Sequence, residues 1–78
     1  MIEQKAGFTL KTARERKRLT QDAAAKLIGI SVDTLGNYER GKSYPDIPVL
    51  RMIEEVYEIP YDSLIFLPMD YDKTVNIL

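Results

Sequence analysis

The side chains that could do chemistry in this chain are cations, amides and hydroxyls, gathered between residues 14 and 42. Arg14, Arg16, Lys17 and Arg18 form a basic run. Gln21 follows a threonine. Ser31, Val32, Asp33, Thr34 and Asn37 share one short segment, and Arg40 and Lys42 flank Gly41. Such groups suit binding. The sequence holds no His and no Cys. That removes the commonest general base, thiol nucleophiles, disulfides and the usual zinc or haem ligands. A catalyst would need a carboxylate pair or an activated Lys or Ser, but the acids here suit helix caps and helix surfaces. The expectation is a binding protein, not an enzyme, with no metal and no cofactor.

These groups must be positioned by the stretch Thr20 to Gly41, T-Q-D-A-A-A-K-L-I-G-I-S-V-D-T-L-G-N-Y-E-R-G. Thr20 can cap a helix by accepting an orphan N–H of its first turn, and Asp22 suits the positive end of the helix dipole. Ala23, Ala24 and Ala25 favour helix and allow another helix to approach closely. Gly29 can adopt the left-handed conformation that ends a helix. Ser31 can cap the next one, which carries Val32, Leu35 and Tyr38 at i, i+3, i+6 and leaves Asp33, Thr34 and Asn37 on other faces. Gly41 closes it. A helix, a glycine turn and a second helix with a polar outer face form a helix-turn-helix pattern, whose second helix is suited to the major groove of DNA.

The chain resembles the Cro/lambda-repressor-like (Xre-type) helix-turn-helix family. The matching residues are L-T-Q at 19–21, A-A-K-L-I-G-I-S at 24–31, Y-E-R-G-K at 38–42, Pro45, and I-P-Y-D-S-L at 59–64. The resemblance spans roughly residues 8 to 66. It implies an all-α, compact five-helix domain over 1–66 with a short C-terminal tail, 67–78. It further implies a sequence-specific, Cro-like repressor that binds double-stranded operator DNA as a homodimer in the cytoplasm, and it suggests a phage or mobile-element origin.

The resemblance also assigns residues. Arg14 would pair with Glu39, near the end of the recognition helix, and the pair would also aim the guanidinium near the DNA backbone, so Arg14 counts among the DNA-binding residues. Gln21 would meet a phosphate, as the N–H groups at a helix start also favour. The base-reading positions fall on Val32, Asp33 and Asn37. Valine can touch a thymine methyl, Asp33 can accept from a cytosine amino group or support the helix start, and Asn37 can bond an adenine edge through both amide atoms. Ser31 and Thr34 are candidates for phosphate or base contact. Arg40 and Lys42 are placed for phosphates, and Arg16, Lys17 and Arg18 add general attraction. Tyr44 either meets phosphate or packs on its loop. Gly36 either permits close approach to DNA or is merely tolerated in the helix.

Net charge is −1, which alone argues against a polyanionic partner. Its distribution argues the other way. Nine Lys/Arg against five Asp/Glu give residues 1–42 a net +4, and two against seven give residues 43–78 a net −5. The helix-turn-helix lies in the basic half. No apolar run approaches the length of a membrane span, and M-I-E-Q-K lacks a signal-peptide core.

Outside the motif, Thr9 is a plausible cap for a first helix over 10–18, with Leu10, Ala13 and Leu19 inward and Phe8 as a staple. Asp46 should cap a fourth helix, with Pro48 in its first turn and Ile47, Leu50, Ile53 and Tyr57 facing the core. Residues 60–66 read as a fifth helix, although Pro60 cannot cap with a side chain. The tail reads as a short strand or extended arm. Leu64, Phe66, Leu67 and Val75 are expected at a homodimer surface. A rival reading is an antitoxin-like or other protein-binding module of the same fold. A purely structural bundle is a third.

Overall fold

The computed structural model describes residues 7–67. Four α-helices run in order: α1 (Leu10–Arg16), α2 (Gln21–Ile28), α3 (Val32–Arg40) and α4 (Ile47–Tyr57). A two-residue strand, β1 (Phe8–Thr9), precedes α1. A 3₁₀ turn (Tyr61–Ser63) and a second short strand, β2 (Leu64–Ile65), follow α4. The strands pair in parallel, Phe8 opposite Leu64 and Thr9 opposite Ile65.

Each helix begins where a capping side chain stands. Thr9, Thr20, Ser31 and Asp46 accept from the N–H of Thr12, Ala23, Thr34 and Val49 at 3.2, 3.1, 3.0 and 3.1 Å. Each bond satisfies a donor that has no partner within the helix, worth about 1 kcal/mol. Gly29 and Gly41 end α2 and α3 at φ 94° and 78°, backbone that a Cβ would strain.

Leu10, Ala13, Ala24, Ala25, Ile28, Leu35, Ile53, Tyr57, Ile59 and Leu64 form one buried core. The buried alanines of α2 let α3 and α4 pack against it. α4 departs from its expected face, because Ile47 is 65% exposed while Ile53 and Tyr57 are fully covered. Ile47 is the first helical residue, nearly two turns before Ile53.

The fold is mostly helical, but neither all-α nor five-helix. The expected fifth helix is a 3₁₀ turn closed by Ser63 N–H to the Pro60 carbonyl at 2.9 Å, with no side-chain cap. Leu64 then opens to extended backbone (φ −92°, ψ 139°). Pro60 starts the turn but has no side chain to cap it; the Tyr61 N–H donates instead to Glu54 Oε2 of α4 at 2.6 Å, which ties the turn back to α4. The branched Ile65 gains more from pairing with β1 than from a second helical turn. α1 is also shorter than expected, ending at Arg16, with Arg18 at φ 57°. Among the described residues, no helix is long and apolar enough to cross a membrane.

Candidate nucleic-acid interface

Glu39 is the hub that joins α1, α2 and α3. Arg14 is buried, only 8% exposed. Its Nε donates to Glu39 Oε2 at 2.7 Å and its Nη2 to Oε1 at 3.2 Å. Arg14 Nη1 donates to the Leu19 carbonyl at 2.9 Å, and Gln21 Nε2 donates to Glu39 Oε1 at 2.9 Å. The guanidinium's charge is held more firmly than usual, first by the Glu39 hydrogen bond and against the cost of burial. Fork and carboxylate match in a bidentate pair, so the start of α2 and the end of α3 are fixed to one arginine.

This hub lies in the floor of an open cleft of about 420 Å³ lined by Lys11, Arg14, Gln21, Gly36, Glu39, Arg40 and Leu67. Three of those side chains are cations, and the one carboxylate is occupied. Lys11 is exposed and was not singled out by sequence reasoning. Its position one turn before Arg14 on α1 is the signal that could have found it.

The N-terminal part of α3 is open to solvent. Ser31, Val32 and Asp33 are exposed, Val32 at 38%. Ser31 Oγ donates to Thr34 Oγ1 at 2.8 Å, so the two hydroxyls stand as a pair. Asp33, Asn37 and Arg40 follow at i, i+4 and i+7, on one side of the helix. Arg40 Nη2 donates to Asn37 Oδ1 at 2.9 Å. Gly36, on the same turn, is buried under that arginine. Lys42 is exposed just past Gly41, and Arg18 is exposed in the α1–α2 turn, outside the cleft.

Tyr44 stands elsewhere. Its hydroxyl donates to the Leu67 carbonyl at 2.6 Å and its ring meets Phe66 edge-on at 6.3 Å. Tyr44, Pro45, Leu50, Tyr61 and Phe66 line an apolar groove of about 260 Å³. Phe66 and Leu67 are half-buried here, Leu64 belongs to the core at 8% exposure, and Val75 lies outside the described residues. α4 carries the acidic Glu54 and Glu55, with Glu58 as its C-cap beside Lys17 at 3.3 Å.

Comparison with known proteins agrees with this arrangement. The helix-turn-helix family matches residues 10–64. The chain is similar to the uncharacterized HTH-type transcriptional regulator YazB of Bacillus subtilis (strain 168), 36% identical over 58 residues, which cover 74% of this chain and 84% of that protein. It is also similar to the HTH-type transcriptional regulator ImmR of the same strain, 36% identical over 59 residues, which cover 76% of this chain and 46% of that one. The chain thus spans about half the length of ImmR. With the matched segment running from α1 into β2, and α2, its left-handed glycine turn and α3 in place, the chain belongs to the Xre-type helix-turn-helix family of DNA-binding transcription regulators.

Proposed function

We propose that this chain is a small Cro-like repressor that occupies an operator as a homodimer, with α3 in the major groove. The observation that carries this is the exposed polar side of α3, beside the cleft formed by Lys11, Gln21 and Arg40. Lys11, Lys42 and the second amide hydrogen of Gln21 would meet phosphates and set position, while Arg40 lies along α3 beside Asn37. Ser31, Val32, Asp33, Thr34 and Asn37 would face base edges or nearby phosphates. The Arg14–Glu39–Gln21 hub fixes the angle between the two motif helices. A dimer would place two α3 helices on half-sites about 34 Å apart and block polymerase by occupancy.

The groove of Tyr44, Leu50, Tyr61 and Phe66, with Ile47 exposed one turn before Leu50, supports a dimer contact on this side of the domain. Leu64 is enclosed in the monomer and Leu67 lines the cleft beside α3, so Phe66 carries the contact on β2's side. In vitro selection from a randomised duplex pool at moderate salt tests the proposal. An enriched inverted repeat with one-turn spacing is expected, and no enrichment would sink it. The same groove together with the acidic α4 favours a second reading, an antitoxin-like module that binds a protein. Co-purification of a stoichiometric partner, with no sequence enriched, would select that reading.

A further inference from the structure

We infer that Arg40 is a specificity-determining residue: it fixes Asn37 as a hydrogen-bond donor, so that the two side chains together read guanine and reject adenine. The inference rests on the DNA-binding reading above and names what that site reads.

A free asparagine reads adenine with both amide atoms, accepting from the N6 amino group and donating to N7. Asn37 is not free. Arg40 Nη2 donates to its Oδ1 at 2.9 Å. A guanidinium carries N–H groups and no acceptor, so the amide atom facing it is the oxygen whichever way the chain is drawn. The Nδ2 amino group is then the end left for a base. An adenine amino group brought to Oδ1 would also approach the guanidinium, donor against donor, and that repulsion discriminates as firmly as any attraction. Guanine presents two acceptors in the major groove, N7 and O6. Asn37 Nδ2 and a remaining N–H of Arg40 are two donors side by side.

Gly36 explains how Arg40 reaches this position. A Cβ at Gly36 would lie 3.2 Å from Arg40 Nη1, and its three nearest atoms would all belong to that guanidinium. With no side chain there, the arginine folds back onto the helix and lies beside Asn37. Glycine is a poor helix former, and in the middle of α3 it leaves room for this contact.

The test is selection from a randomised duplex pool with the wild-type chain and with Asn37→Ala and Arg40→Ala. Both side chains lie on the outer side of α3, so thermal melting should show both variants folded. Asn37→Ala should flatten preference at one operator position. The wild type should favour guanine there by at least about tenfold, and Arg40→Ala should favour adenine. Three results would overturn the inference while leaving sequence-specific binding intact: adenine at that position in the wild type, guanine retained in Arg40→Ala, or no position flattened by Asn37→Ala. A wild-type chain that enriches nothing would remove the DNA-binding reading, and the inference with it.

Discussion

Glu39 answers three donors with two oxygens, and Arg14 is nearly enclosed. Glu39→Gln would leave a buried guanidinium without its counter-charge. The expected loss is about 3–5 kcal/mol, read by urea denaturation. Nothing in the spacing of residues 14 and 39 signals this pair. The family resemblance suggested it, and the helix packing places the two side chains together. Tyr57 poses a different problem. It is fully buried, and among the described residues its hydroxyl has no hydrogen-bond partner. Burial, reinforced by Glu39, pushes its pKa up to about 12, against about 10 in an unfolded chain. Between those values the unfolded chain releases a proton that the folded chain keeps. Stability should therefore be full below pH 10 and fall as pH rises toward 12. Tyr57→Phe should be at least as stable as wild type at neutral pH and should flatten that alkaline decline, as melts across pH 8–12 would show.

At the scale of elements, local chemistry is decisive wherever a cap or a glycine is involved. All four helix starts were legible, because Thr9, Thr20, Ser31 and Asp46 need only their own first turn to act. Gly29→Ala isolates one such effect. A Cβ there would touch nothing within 4 Å, so the whole penalty is the left-handed backbone. About 1–2 kcal/mol is expected, measured by chemical denaturation, with DNA binding otherwise intact at low temperature. The strand pair was not legible. β1 and β2 are two residues each, too short for any alternation to show, and they exist because the two ends of the described chain meet. The exposed Ile47 was misread for a related reason. Helical spacing shows which residues share a face, but not how far along that face the neighbouring layer extends.

For the whole molecule, the opposed charge of the two halves separates a cationic cleft from an acidic α4. If Lys42 meets a phosphate, Lys42→Ala should weaken binding evenly across operator sequences. It should also lower the log–log salt slope by about 1 per subunit, as fluorescence anisotropy between 50 and 200 mM salt would report. Assembly is tested at the apolar groove. Ile47 is exposed and lies on the same side of α4 as Leu50 of the groove. An acid is tolerated in the first turn of a helix, so Ile47→Asp should leave the monomer folded. If the groove is the dimer contact, sedimentation should show dimerisation at least tenfold weaker.

The sequence by itself determined the helix-turn-helix, its caps and its glycine stops. All of these depend on interactions within a turn or two of chain, where residue type is enough. Only the tertiary structure decided which atoms were free to act. It gave Gln21 a bond to Glu39, turned Tyr44 toward Leu67 and Phe66, laid Arg40 over Gly36 against Asn37, and drew the segment after Pro60 into a strand. Two of these, the Gln21 bond and the placing of Tyr44, join residues far apart in sequence. The strand pair joins the two ends of the described chain. The Arg40 contact is local, but its direction depends on a side chain that Gly36 lacks and on a guanidinium that solvent could equally have taken. Such outcomes are set by three-dimensional proximity and by competition for each hydrogen-bond donor.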